Sequence, residues 1–412
     1  MPLTRRQLLQ RLSALPLLSL PLPALAQDSS ARETRVADVI REYSAQGYHR
    51  TGTAVDTVSG AWLADRMEAM GVHAFLDPVS LTRVNELYTR FAFDGIVMDG
   101  VPLHDGTFTD VEGISGRLGA LGSDAEIGVI MLPAGTSSEA HEQLMSARRE
   151  HRHKVIIVVS DASYPDSGEA LLNAEDAATP FGPPVLQVAN THWQGIQASM
   201  AAREQAEVVV FAERVPTTAY NVSARIDGSN PDLAPLVIMT PRSGWWRCAS
   251  ERGGGLAVML EIMQELLASP PARDVIFTAN TGHELGHLGL QQMLKENPSL
   301  PADADLWIHL GANFGATGSQ VRLQYANDDL RQISQRQLRR RQLSPGAETP
   351  IGNRPLGEAR NIHDARGRYL SILGSNPLFH HPDDRWPNAV DVANTARWAE
   401  AFSNIVVQLT QA

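Results

Sequence analysis

A run of apolar, β-branched and aromatic residues at 274–279 predicts a buried strand, and the pattern of a helix follows it closely. Gly282 marks a turn, and the apolar positions from Leu285 onward suit a helix. His283 and Glu284 therefore fall at a strand-to-helix switch. Open α/β sheets build their sites at the carboxyl ends of their strands, so we expect the chemistry of this chain here first.

Short strand patterns at close spacing fill the middle of the chain, from about residue 95 to residue 215. They are IGVIML at 127–132, KVIIVVS at 154–160, PPVLQV at 183–188 and EVVVFAE at 207–213. After residue 219 strand and helix patterns alternate, which is typical of a mixed, mainly parallel sheet flanked by helices. The pattern predicts an α/β domain at 32–94 and 216–412, interrupted by an inserted β-rich domain at 95–215.

Composition narrows the range of partners. The chain has 412 residues, of which 43% are hydrophobic and 20% charged, as in ordinary globular proteins. Its formal charge of −11 argues against a nucleic-acid partner. Composition alone points to no other class of partner.

The first 26 residues have the features of a targeting signal. Thr4 to Leu9 reads like a twin-arginine leader, a leucine-rich stretch follows, and Ala24-Leu25-Ala26 fits an A-x-A cleavage site. The apolar run is broken by prolines and is shorter than the roughly 20 residues that span a bilayer. We expect a signal peptide at 1–26, a periplasmic or secreted protein, and no stable membrane anchor after cleavage.

Two interpretations of the switch segment lead to different metal sites. Taken alone, residues 283–287 spell H-E-x-x-H, in which two histidines one helical turn apart bind zinc and the glutamate activates water. This zincin interpretation requires one α-helix to run through both His283 and His287. The strand pattern before Gly282 favours the second interpretation, in which the segment follows a strand of a sheet.

The second interpretation rests on two motifs. GHELGHLGL at 282–290 resembles a strand-terminal G-E-E-L-G-L-L-G-S segment, and AYNVSARIDGSNPDLAPLVIMTPRSGWW at 219–246 is similar to N-V-x-A-x-x-x-G-x-x-P leading into a strand. Both are features of the zinc-dependent exopeptidase family of the bacterial aminopeptidase and glutamate carboxypeptidase type. The resemblance covers most of residues 35–411 and implies that family's α/β fold. The middle region looks like the protease-associated domain often inserted in this family.

The family binds two zinc ions through a His, a bridging Asp, a Glu, a second Asp and a distal His, and another Glu acts as base. At the first His this chain has Pro241, and Ser243 replaces an orienting Asp. The bridging Asp, the base and the second Asp are replaced by Glu251, His283 and His309. Only two positions keep the family's residue type, and they are Glu284 and His380.

The resemblance, with these departures, implies a reduced site. Proline cannot be a side-chain ligand, so we expect one zinc ion rather than two, or none. The implied ligands are Glu251, Glu284 and His380, with His309 as an additional ligand. His283 and Glu284 are the implied catalytic residues, and Arg242, Ser243, Trp245 and Trp246 the implied substrate-binding residues.

The function implied is that of an exported aminopeptidase-like metallohydrolase acting on peptides or aminoacyl amides. Three protein ligands plus water form the usual catalytic zinc arrangement. Three alternatives stay open at this point: a non-catalytic ligand-binding protein on the same fold, a different hydrolase that uses the altered pocket, and the H-E-x-x-H zincin.

Overall fold

The computed structural model describes residues 22–133, 138–165 and 168–411. Residues 1–21 of the predicted leader lie outside the described residues. The α-helices are α1 Leu22–Ala45, α2 Ala54–Ala69, α3 Glu139–Glu150, α4 Trp193–Ala202, α5 Gly253–Ala268, α6 Leu288–Glu296, α7 Leu300–Asp303, α8 Asp328–Arg340, α9 Ala359–Asp364 and α10 Val392–Thr410.

Most strands are short, and two long ones link the two ends of the molecule. The strands are β1 Ala74–Phe93, β2 Ile96–Met98, β3 Val101–Pro102, β4 Ile114–Ala120, β5 Ile127–Leu132, β6 Val155–Ser160, β7 Val185–Val188, β8 Gln205–Ile226, β9 Leu236–Pro241, β10 Val275–Asn280, β11 Leu306–Leu310, β12 Arg322–Tyr325, β13 Ala347–Thr349 and β14 Tyr369–Leu373. The strand predicted at 274–279 is therefore present as β10.

The strands join in one mixed sheet whose neighbours follow the order β13-β12-β14-β11-β9-β10-β8-β4-β5-β6-β7-β3. Strands β14, β11, β9 and β10 are parallel neighbours, so their carboxyl ends lie at one edge. The loops after these strands carry most of the polar residues discussed below. The predicted fold class, a mainly parallel mixed sheet flanked by helices, is confirmed.

Helices pack on both faces of this parallel part. Helix α5 is apolar along nearly its whole length and packs between the sheet and helices α1 and α10. A smaller cluster, which includes Trp307 and Tyr369, fills the opposite face under α6 and α9. Because the sheet is covered on both faces, its strands are continuous apolar runs rather than alternating ones.

A second group of hydrophobic residues forms around strands β4 to β7, which are parallel to one another. The antiparallel pair β1 and β8 runs from this region into the α/β part. The long loop between β6 and β7 reaches back over the carboxyl edge of the parallel strands. The division into domains at residues 95 and 215 stays a prediction. In the part of the chain that the structure describes, no helix is long and apolar enough to cross a membrane.

Candidate metal centre

The turn between β10 and α6 separates the side chains of two consecutive residues. His283–Leu285 forms a single 3-10 turn, and residues Gly282, Gly286 and His287 on either side of it have φ values of 78°, 77° and 63°. Gly286 has no room for a side chain, because a Cβ there would lie 2.5 Å from the Glu175 carbonyl oxygen. The tight turn directs the side chains of His283 and Glu284 to different partners.

This turn decides between the two interpretations of the H-E-x-x-H segment. No α-helix runs through residues 283–287, because α6 begins only at Leu288. Strand β10 comes directly before the turn. The zincin alternative is therefore wrong, although His283 and His287 do stack on each other with ring centroids 5.1 Å apart.

Two atoms with lone pairs, a carboxylate oxygen of Glu251 and the Nε2 of His380, lie close to each other. The Nδ1 of His380 lies 2.7 Å from the carbonyl oxygen of Leu171, which can only accept, so Nδ1 carries a proton. Among the described residues, the Nε2 of His380 has no hydrogen-bond partner, and it lies 3.5 Å from Oε1 of Glu251. Burial lowers the pKa of His380, which favours the neutral ring with its lone pair on Nε2. An unpartnered imidazole nitrogen beside a carboxylate is the donor arrangement that a metal ion requires.

His283 is held by a buried carboxylate. Its Nδ1 makes a short hydrogen bond to Oε1 of Glu358, whose other oxygen accepts from Nε2 of His309 at 3.0 Å. Burial lowers the pKa of His283 to about 3, so its ring is neutral at physiological pH. Burial alone would raise the pKa of Glu358, but the surrounding histidines hold it well below its ordinary value. A carboxylate that fixes one ring nitrogen leaves the other free to bind a metal.

Two groups of three residues bring their ligand atoms within 4.8 Å of one another. The first is Glu251, His283 and His380, and the second is His283, His287 and Glu358. Two histidines and a glutamate are a known ligand set of catalytic zinc. The first group has the unpartnered His380 nitrogen, whereas in the second the Glu358 oxygen and His283 nitrogen already satisfy each other. The first group therefore fits a zinc ion better.

Glu284 belongs to neither group. Its Oε1 accepts from the backbone N–H and the hydroxyl of Thr51, both at 2.7 Å, and its Oε2 accepts from the Ser243 hydroxyl at 2.7 Å. Burial raises the pKa of this carboxyl group. The structure therefore does not group Glu284, a predicted ligand, with His380. His283, the predicted proton relay, is a member of both groups instead.

Both ring nitrogens of His309 also have hydrogen-bond partners. Its Nδ1 lies 2.9 Å from the Ser371 hydroxyl, and its Nε2 bonds to Glu358. With both nitrogens engaged, the ring supports Glu358 rather than acting as the additional ligand predicted for it.

The predicted substrate-binding residues are spread over different roles. Arg242 is buried in an ion pair with Asp56 at 2.8 Å, and the Ser243 hydroxyl accepts from the Gly282 N–H at 2.8 Å. Trp246 donates from Nε1 to the His380 carbonyl oxygen at 2.8 Å. Trp245 lines a cavity that is described further below.

The sequence interpretation missed Glu358, and Arg252 was not among its candidate site residues. Arg252 is fully buried, and its Nη2 lies 2.5 Å from Oε1 of Glu251. Its Nε donates to the Ser243 carbonyl oxygen at 2.7 Å. Neither residue stands at a position where the family pattern has a ligand. The H-E-x-x-H spacing did single out His287, but as a zinc ligand on an α-helix that does not form.

Imidazole and carboxylate groups thus converge at the carboxyl edge of a mainly parallel, helix-covered sheet, where α/β proteins place their sites. The model of Peptidase family M28 matches residues 221–406, a stretch that contains Glu251, His283, Glu358 and His380. This match covers the C-terminal part of the chain, and it confirms the resemblance to the zinc-dependent exopeptidase family seen in the sequence. No curated protein matches the chain.

Solved structures show the same fold over nearly the whole chain. BSAP, a zinc aminopeptidase from Bacillus subtilis, has a TM-score of 0.74 at 14% identity, covering 93% of this chain and 95% of its own. A Peptidase M28 precursor from Shewanella amazonensis has a TM-score of 0.75 at 15% identity, covering 94% and 96%. An aminopeptidase from Aneurinibacillus sp. strain AM-1 has a TM-score of 0.67 at 13% identity, covering 92% and 94%.

Proposed function

We propose that the protein is a zinc-dependent aminopeptidase-type hydrolase with one zinc ion held by Glu251, His283 and His380. The observation that carries the proposal is the unpartnered Nε2 of His380, 3.5 Å from Glu251 Oε1. The match to the model of Peptidase family M28 and the fold shared with zinc aminopeptidases support a peptide or aminoacyl amide as substrate.

We favour a single ion because Arg252 already places a positive charge beside Glu251. Its guanidinium, 2.5 Å from Glu251 Oε1, neutralises the carboxylate that bridges two ions in the family pattern. Pro241 offers no side-chain ligand, and both nitrogens of His309 are engaged. A second ion would therefore meet a buried cation and lack ligands.

The side chains around the proposed ion have separate tasks. Zinc bound by three protein ligands supplies a Lewis acid that brings the pKa of a water ligand to about 7. Glu358 holds His283 in the tautomer that directs its Nε2 lone pair to the ion. His287 has Nδ1 bonded to Asn361 Oδ1 at 2.8 Å, which leaves its Nε2 as a proton acceptor beside the His283 ring. We assign the proton-accepting role to His287, because His283 would hold the metal.

Export through a twin-arginine leader at residues 1–26 is part of the same proposal. Its support is the Arg5-Arg6 pair and the A-x-A site in the sequence.

The decisive experiment measures zinc content and hydrolysis of aminoacyl p-nitroanilides on the purified chain, with and without chelator. We expect about one zinc per chain, with turnover that is lost on chelation. His283→Ala and His380→Ala should lose zinc, whereas Glu284→Gln, matched in size, should keep it. If Glu284→Gln loses zinc and His283→Ala keeps it, the ligand set is wrong. If zinc binds without turnover of any aminoacyl substrate, the protein is a ligand-binding member of the fold.

A further inference from the structure

A polar cavity of about 330 Å³ lies beside Glu284 and Leu285. Its charged and titratable lining residues are Arg50, Arg83, Arg214, Glu86, Glu284 and His104. Three guanidinium groups thus line the cavity together with two carboxyl groups. None of the three proposed zinc ligands lines it.

Two of the arginines are fixed by neutral acceptors. Arg83 donates from Nη1 to the Gly52 carbonyl oxygen at 2.7 Å and from Nε to Asn85 at 2.8 Å. Arg214 donates from Nη2 to the carbonyl oxygens of His104 and Gly106 at 3.0 and 2.6 Å. Neither arginine forms an ion pair with any acidic residue in the described ranges. Both side chains are therefore held in place, and within the described residues neither charge is neutralised by a salt bridge. Asp105, which acts on Arg214 through space, is itself paired with Arg148.

The remaining charges in the lining do not cancel this excess. Arg50 pairs with Glu86 at 2.5 Å, and its guanidinium carbon lies 5.1 Å from the Trp246 ring centroid. Glu284 directs its oxygens to Thr51 and Ser243, and even with both carboxyl groups charged the three guanidinium groups leave an excess of one positive charge. Burial lowers the pKa of His104, so that ring is neutral. The cavity is thus positive although the whole chain carries −11.

The guanidinium donors in the lining suit a carboxylate ligand. A guanidinium presents a planar pair of N–H donors that matches the two oxygens of a carboxylate. A cavity of about 330 Å³ is large enough for a short dicarboxylate or the acidic end of a small peptide. Trp245 in the lining adds an apolar surface against which a carbon chain can pack.

We propose that this cavity binds a carboxylate-bearing small molecule, with Arg83 and Arg214 supplying the charge that holds the carboxylate. The proposal concerns binding alone, so it requires neither zinc nor hydrolysis. The proposal can therefore fail while the proposed function holds, and the reverse is also true.

Calorimetric titration of the full chain with glutarate tests the proposal, with the neutral diamide glutaramide and inorganic phosphate as comparison ligands. We expect saturable glutarate binding that weakens as salt is added and no binding of the diamide. Arg83→Gln and Arg214→Gln should each weaken glutarate binding about tenfold or more. Arg340→Gln, on the exposed side of α8, is the matched control and should bind as the unchanged chain does. Equal binding of diamide and glutarate, or tighter binding of phosphate, would overturn the proposal.

A second measurement needs no variant and decides the matter if the substituted chains fail to fold. Phenylglyoxal modifies accessible arginines, and mass spectrometry locates the modified residues. Glutarate should slow modification of Arg83 and Arg214 but not of Arg340. Unchanged modification rates at Arg83 and Arg214 in saturating glutarate would overturn the proposal.

Discussion

Two clusters of buried polar side chains lie near the carboxyl ends of the same parallel strands, and they differ in how fully their hydrogen-bonding groups are used. The first, which we call the closed cluster, comprises Thr51, Asp56, Arg242, Ser243 and Glu284. The second, the ligand cluster, comprises Glu251, His283, Glu358 and His380.

In the closed cluster each charge meets a partner. Arg242 pairs with Asp56 at 2.8 Å, and Glu284 accepts three hydrogen bonds from Thr51 and Ser243. In the ligand cluster the His380 Nε2 has no hydrogen-bond partner in the described part of the chain. Residue type alone does not distinguish the two, since each contains a glutamate that the family pattern could treat as a ligand. What distinguishes them is a lone pair left without a donor, which is costly in a protein interior unless a ligand uses it.

The largest expected effect is on the closed cluster. Arg242→Ala leaves the Asp56 carboxylate buried without its cation, so we expect a loss of about 3–5 kcal/mol in the free energy of unfolding. Denaturant unfolding of the chelated protein measures this loss. Arg354→Ala removes a partner from the exposed pair with Asp364 and should cost less than about 1 kcal/mol. A similar small loss for both variants would contradict the distinction between the clusters.

The next effect separates the clusters by metal affinity. Glu358→Gln keeps the side-chain size but removes the charge that orients His283, so zinc affinity should fall about 10–100-fold. The stability of the chelated chain should change by less than this loss of binding energy. Competition with a chromophoric chelator measures the affinity, and Glu348→Gln, which lies away from both clusters, serves as the control. Unchanged affinity in Glu358→Gln would mean that His283 is not a ligand.

The smallest effect concerns the segment that supports the closed cluster. His49 stacks on Tyr43 with ring centroids 3.7 Å apart, and burial lowers its pKa from 6.5 to about 3. Between these values the unfolded chain binds more protons than the folded chain, so stability falls as the pH falls. The His49 contribution should amount to about 1.5 kcal/mol between pH 6.5 and pH 5. His49→Gln should reduce this pH dependence in denaturant unfolding; an unchanged dependence would show that His49 takes up its proton without unfolding.

The sequence predicted the fold around the site better than the side-chain contacts within it. The apolar run before Gly282 gave the strand β10, and the motifs around it led to the right fold and family. The directions of His283 and Glu284 could not be predicted, because they depend on the left-handed backbone at Gly282, Gly286 and His287. Glu358 lies 75 positions from His283 and follows no fixed spacing, so only the folded chain brings the two together.

The bond between His380 and Leu171 joins the proposed ligand to the loop between β6 and β7. The same loop donates from the Ala174 N–H to the Glu284 carbonyl oxygen at 2.8 Å, and Glu175 pairs with Arg360 at 2.5 Å. The carbonyl that fixes the His380 tautomer is therefore lost if this loop lifts. Equilibria linked in this way are reciprocal. A bound ion would therefore stabilise the contact between the loop and His380 by the same free energy that this contact adds to metal binding. Any movement that separates Leu171 from His380 would therefore weaken metal binding.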